Sequence, residues 1–380
     1  MELALYCPVY GYYEKQEDTI GRRGDFFTSV SVGSLFGELL AVQFSEWLDL
    51  LGSQSLGSKA CLSQSAVGSA DAARDIGEPR LQLVETGAHD GRLAGDILSW
   101  LRQRRAELFE RLEYWIIEPS ARRREGQKRH LSQFGPAVRW AANLSELLNS
   151  APSPLTTQQL PWVCGVIFSN ELLDALPVHR LGWDAALRRW FEWGVMIDTG
   201  RFRWTRMPLN ESRLAHHSSP ITHDAFTALS AVLPDGFTIE LCPAAEEWWR
   251  SAAAALRCGK LLTIDYGLAA EEKFVPERTQ GTVRAFHQHR LSDDLLARPG
   301  EQDITAHVDF EAISHGGELA GLTTEQFVTQ EKFLTQITER VWPVSAPPGQ
   351  WTPEQRRQFQ TLTHPDHLGR AFRVLVQSRM

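Results

Sequence analysis

The residues from Leu81 to Leu98 constrain the fold of this chain more than any other stretch. Leu81, Leu83 and Val84 form a short apolar run that Gly87 stops, and from Leu93 apolar residues return at helical spacing as Leu93, Ala94, Ile97 and Leu98. The pattern predicts a strand, a glycine turn and a helix. Such a turn brings backbone N–H groups and a helix N-terminus to the carboxyl end of a parallel strand, where open α/β sheets bind nucleotides. Glu85 stands just before the turn and Gly91 closes it, giving Glu-x-Gly-x-x-x-Gly with His89 between the two glycines. A dinucleotide fingerprint needs G-x-G-x-x-G to seat a pyrophosphate. A carboxylate beside the loop suits instead a ligand with a cationic amino-acid moiety, such as S-adenosylmethionine; a βα connection without a ligand is the competing reading.

With 380 residues the length suggests about two domains. The five cysteines, Cys7, Cys61, Cys164, Cys242 and Cys258, contain no C-x-x-C pair, so neither structural zinc nor a disulfide framework is expected and a reducing compartment fits. No apolar run is long enough for a membrane span, and no basic region precedes an apolar core at the N-terminus. The expected location is the cytoplasm. The net charge of −8 argues against a general nucleic-acid binder and is compatible with a basic or guanidinium-bearing partner. The basic cluster Arg122, Arg123, Arg124, Lys128 and Arg129 reads as a solvated helix face.

The N-terminal stretch from Tyr10 to Ser29 is dense in glycine and aromatics without a period, as expected of a loop that covers a site or packs on an apolar surface. A helix is predicted from Leu35 to Leu51. Residues 52 to 79 are rich in Ser, Gly and Ala and read as a flexible connection. Beyond the central turn, Tyr114 to Ile117 form a second strand ending at Glu118. That acid occupies the position from which a Rossmann-like sheet binds ribose hydroxyls, though it can also serve with Ser120 to cap the next helix. Val138 to Trp140 predict a third strand whose end, near Asn143, lies by an adenine ring.

The apolar run from Trp162 to Phe168 predicts a fourth strand buried on both faces. Asn170, Glu171 and Asp174 follow it and would stand over the pocket, with Asn170 as a helix cap the alternative. Residues 178 to 240 alternate aromatic and polar positions and predict inserted hairpins. A helix follows Pro243, and Lys260 to Gly267 form a fifth strand with Asp265 at its end. Thr282 to Phe286 and Ala371 to Val376 are further strand candidates, with mostly helical material from Asp309 to Arg357. There is no G-x-S-x-G elbow and no P-loop. His287 and His289 with Asp293, and His307 with Asp309, lack a third ligand signal and read as structural groups, so no metal is expected.

These segments, in their order, resemble the MidA family of S-adenosylmethionine-dependent methyltransferases. The resemblance is carried by Ala4 to Tyr13, Gly24 to Ser29, Leu83 to Leu93, Glu118 to Ser120, Asn170 to Pro177, Asp265 to Gly267, Gly281 to Phe286 and Asp303 to Phe310, over nearly the whole chain except residues 52 to 79. The family includes the mitochondrial protein arginine methyltransferase that assists complex I assembly. The resemblance implies a Rossmann-like seven-stranded class I methyltransferase sheet, with residues 1–51 as an N-terminal cap, residues 80–380 as the core and residues 178–240 as its hairpin insertion. It further implies S-adenosyl-L-methionine as cofactor, bound around Glu85, Gly87, His89, Gly91, Glu118, Asn143, Asn170, Asp25 and Thr28. The implied substrate is an arginine of a protein partner such as a respiratory complex I subunit, met by Glu171, Asp174 and Asn170. Asp25, Phe26, Thr28 and Ser29 would close the open side of the pocket. Two features depart from the family: it usually begins with a helix upstream of Ala4, so that this chain is expected to be N-terminally short, and His89 replaces the middle glycine of Glu-x-Gly-x-Gly-x-Gly. A weakened or inactive assembly factor and a small-molecule methyltransferase are the rival readings.

Overall fold

The computed structural model describes residues 1–14, 28–62, 80–150, 162–210, 232–341 and 351–380, apart from residues 270, 271, 273, 274, 276, 277, 289 and 293; of residues 54–62 only the helical backbone is described. The central sheet begins with β1 (Leu81–Thr86), β2 (Leu112–Ile117), β3 (Val138–Ala141) and β4 (Val163–Asn170). Every residue of β1, β2 and β4 is buried, as continuous apolar strands covered on both faces must be. An antiparallel sheet follows, made of β5 (His179–Asp184), β6 (Arg189–Asp198), β7 (Arg201–Pro208) and β8 (Thr238–Leu241). The chain returns to the central sheet in β9 (Leu256–Leu268), then builds a three-stranded sheet from β10 (Arg284–His287), β11 (Arg290–Ser292) and β12 (Asp303–Thr305). The short β13 (Val308–Asp309) extends the end of β9, and β14 (Thr323–Thr329) and β15 (Phe372–Arg379) finish the central sheet.

The seven principal strands lie in the order β14-β15-β9-β4-β1-β2-β3, all parallel except β15, which runs against both neighbours. One face is packed by the helices Leu35–Leu62, Arg92–Arg104, Gln330–Val341 and Pro353–Thr363, and the other by Leu144–Asn149, Pro243–Ala255 and Phe310–Leu319. This is the expected Rossmann-like arrangement with a different sixth strand. Thr282–Phe286 does not enter the central sheet, because its strand alternates between two small surfaces. Val283 just before β10 and Ala285 on it, with Ile304 on β12, pack under Leu5 and Tyr12, while Arg284 and Phe286 face the opposite way. Thr323–Thr329, in the stretch expected to be helical, takes the edge place instead; its Thr, Phe and Val residues suit a pleated, half-buried strand.

Three further expectations change. The helix predicted to stop at Leu51 continues to Leu62; once a helix is under way each added residue gains a hydrogen bond at little cost. Cys164 and Cys258 face each other across β4 and β9 and form a disulfide. The parallel register brings them together, and spacing along the chain does not show it. The basic cluster is not wholly solvated: Arg123 Nε donates to the Tyr13 carbonyl at 3.0 Å and its guanidinium stacks on the Tyr13 ring.

Candidate active site

The turn after β1 needs its glycines. Gly87 and Gly91 have φ of +81° and +86°, and a Cβ on Gly87 would come within 3.0 Å of the Leu172 side chain. His89, between them, also takes a left-handed conformation, φ +46°, which histidine tolerates better than β-branched residues do. The residue lines the cleft, and its Nδ1 is 4.0 Å from the Asp90 carboxylate. Glu85 is buried at the end of β1 and accepts the Tyr114 hydroxyl at 2.6 Å; burial pushes its carboxyl up to about 7. Glu118 is buried too, with one oxygen accepting the Ser120 N–H at 2.9 Å and the other the Gln127 amide at 3.3 Å. It therefore takes part in the helix start as well as lying at the strand end. Its carboxyl is raised chiefly by burial.

The loop after β4 carries the acids. Asn170 is the last residue of β4 and caps no helix; its amide donates to Glu171 Oε1 at 3.0 Å. Ser29 N–H donates to the same oxygen at 3.0 Å. Glu171 has φ +52°, a strained conformation for a side chain of its kind. Asp265, near the end of β9, holds the loop in place, its Oδ2 accepting the backbone N–H of Leu172 at 3.1 Å and of Leu173 at 2.8 Å. Glu171 Oε2 and Asn170 Oδ1 are buried with no partner. Burial raises Glu171 to about 8 and Asp265 to about 7, and burial with the neighbouring acids Asp265, Asp303 and Glu171 drives Asp174 well above the ordinary carboxylate range.

Two cavities meet at this loop. A cleft of about 120 Å³ is lined by Glu85, Gly87, His89, Arg123 and Asn170. A larger cavity of about 680 Å³ is lined by Asp174, Tyr266, Arg284, Phe286 and Asp303. Glu171 and Tyr13 line both. The Tyr13 hydroxyl donates to Asp303 at 2.7 Å, so the N-terminal segment forms part of the wall between them.

Of the residues expected to bind cofactor, Glu85, Gly87, His89, Asn170 and Thr28 line the cleft. Thr28 also caps the Ser29–Val32 helix through a reciprocal pair of hydrogen bonds with Ser31. Gly91 makes the turn. Asn143 is exposed and caps the Leu144–Asn149 helix, its Oδ1 accepting the Glu146 N–H at 2.9 Å. Asp25 and Phe26 lie outside the described residues, as do His289 and Asp293. Asp309 caps the Phe310–Leu319 helix, accepting the Ala312 N–H. Tyr13, Asp265 and Asp303 join the site although no site role is expected of them above. Asp265 carried the signal of an acid at a strand end, whereas Tyr13 and Asp303 reach the site through pairings distant in sequence.

Residues 66–328 match the sequence profile of a family described as "Putative S-adenosyl-L-methionine-dependent methyltransferase". The chain belongs to this family. The human protein arginine methyltransferase NDUFAF7, mitochondrial, is 30% identical over 348 residues, covering 89% of this chain and 68% of that protein. The Drosophila melanogaster homolog is 26% identical, covering 99% of this chain and 79% of that protein. A Burkholderia thailandensis crystal structure bound to S-adenosyl-homocysteine is 29% identical with a TM-score of 0.74, covering all of this chain and 86% of that one. The methyltransferase uses S-adenosylmethionine, and the cleft fits it: a buried carboxylate before the glycine turn and an orphaned Asn170 oxygen await a cationic, hydrogen-bonding ligand. The expectation of a cytoplasmic methyltransferase does not stand, because these curated relatives are mitochondrial.

Proposed function

We propose that this methyltransferase modifies arginine side chains of a protein partner, with Glu171 and Asp174 receiving the guanidinium and Asp303 beside them. The names of the relatives support arginine, and so does the chemistry of the larger cavity. A guanidinium is planar, always charged at neutral pH and matched to carboxylates two hydrogen bonds at a time. Glu171 carries the reading: its unpartnered Oε2 is buried in the wall common to both cavities.

Cofactor bound at the turn from Glu85 to Gly91 supplies an electrophilic methyl group. The residues of the chain do the rest. Arriving positive charge lowers the raised carboxyls of Glu171 and Asp174 and leaves them ionised. Their oxygens then hold the charge on two guanidinium nitrogens and leave the third nucleophilic. Tyr13, donating to Asp303, fixes the orientation of that carboxylate. A carboxylate of the cluster would take up the proton that this nitrogen loses on methylation.

Glu171→Gln keeps the shape of the side chain and removes the charge. Its methyl transfer to arginine peptides should fall by about 100-fold or more, with S-adenosylmethionine affinity, read by calorimetry, kept within a few-fold. Transfer at the parental rate would refute the role. A second reading, an assembly factor without catalysis, is favoured by His89 alone. Absence of calorimetric binding by the parent chain would support it.

A further inference from the structure

The larger cavity is charged oppositely at its two ends. On its β10–β12 wall, Phe286 pairs with Asp303 and Arg284 with Thr305, so Arg284 lies two residues further along the strands than the acid that meets Tyr13. At about 3.4 Å per residue this places the acid and base rows about 7 Å apart. Glu171 and Asp174 lie close enough to Asp303 for its charge to raise both carboxyls, whereas Arg284 is the only arginine or lysine among the described residues lining the cavity. Its Nη1 is held by the Val283 carbonyl at 2.8 Å, and no carboxylate of the described residues lies within ion-pair distance of it. Two neighbouring cations are already occupied: Arg373 pairs with the Glu272 carboxylate at 2.8 Å, and Arg278 donates to the Glu272 carbonyl. His307, between β12 and β13, adds no charge at neutral pH, since burial and the guanidiniums of Arg278 and Arg284 hold it down at about 4.

We propose that this cavity selects an arginine that has an acidic residue within a few positions of it in the substrate protein, the acid being met by Arg284. The proposal rests on the arginine reading above. The row spacing is close to two residues of an extended peptide, so one segment can satisfy both ends. Arg284 is exposed, so the gain is that of a solvent-screened ion pair, at most about fivefold in affinity.

The test is anisotropy of fluorescein-labelled peptides titrated with the full chain in S-adenosyl-homocysteine, using Arg/Glu, Arg/Gln and Lys/Glu versions of one sequence and unlabelled free arginine as competitor. The expected result is Arg/Glu tighter than Arg/Gln by about fivefold at low salt. That ratio should shrink towards one in Arg284→Gln. In Arg284→Glu it should turn over, favouring a peptide with lysine in place of the acid. Equal binding of Arg/Glu and Arg/Gln, both tighter than Lys/Glu, would overturn the acidic neighbour and leave the arginine reading standing. Equal binding of arginine and lysine versions would overturn both. Competition by free arginine as strong as by either peptide would assign the cavity to a small amino acid and overturn the proposal.

Discussion

Glu171 concentrates the costs of this site. Its left-handed backbone is worth roughly 1 kcal/mol or more of strain, and its carboxyl, ordinarily near 4.5, is pushed up to about 8 by burial. A carboxyl with a raised folded pKa is protonated in the native state over a range where the unfolded chain has already lost the proton. Its contribution to stability is therefore fully present below about pH 4.5 and falls as pH rises, reaching its loss above about pH 8. The ligand-free protein should show a lower urea midpoint at about pH 8.5 than at about pH 6, and Glu171→Gln should narrow the gap; an unchanged gap would mean that other groups carry the pH dependence. His89 makes a second residue-level prediction. Glycine there takes φ > 0 freely and removes the side chain of a residue that lines the cleft. His89→Gly should bind S-adenosylmethionine more tightly than the parent in calorimetry, and equal affinity would show that the ring stands clear of the ligand.

At the level of elements, two features set the shape of the site. The first is the N-terminal segment, which buries Leu5 and Tyr12 on β10 and β12 and ties Ser29 to Glu171. Deleting residues 1 to 30 should abolish methyl transfer while the far-ultraviolet circular dichroism of the central sheet survives; full activity in the truncated protein would refute a covering role. The second is the close approach of β1, β4 and β9 at two glycines. A Cβ on Gly165 would lie 1.9 Å from the Gln82 carbonyl oxygen, and one on Gly259 the same distance from that of Gly165. Gly165→Ala should therefore cost about 3 kcal/mol, measured as a drop in the denaturation midpoint, and a midpoint unchanged from the parent would mean that the strands can part freely. The strand, turn and helix from Leu81 to Leu98 were legible because apolar period and glycine position agree there. The acids at the ends of β4 and β9 were legible for the same reason. Asp303 and Tyr13 were not, since nothing local distinguishes an acid on a three-residue strand from any surface acid. Asn143 shows the converse: a polar residue near a strand end that the helix beside it uses as a cap.

For the whole molecule, the sequence order of the strands specified a parallel sheet with helices on both faces, but not which late segments would complete it. Thr323–Thr329 and Thr282–Phe286 are both short and both β-prone, and only their partners separate them. The partner that decides is β15. Although it is the final strand in chain order, it does not sit at the edge; it lies between β9 and β14, with Phe372, Val374, Leu375 and Val376 almost wholly buried. During synthesis, β9 and β14 thus leave the ribosome before the strand that joins them, β9 with the row of backbone donors and acceptors that faces β15 open and β14 with no strand partner on either side. Such edges pair readily with the wrong chain. A nascent chain held upstream of Phe372 is accordingly an aggregation-prone client for chaperones, and a protease should cut β14 readily until β15 slides into the gap.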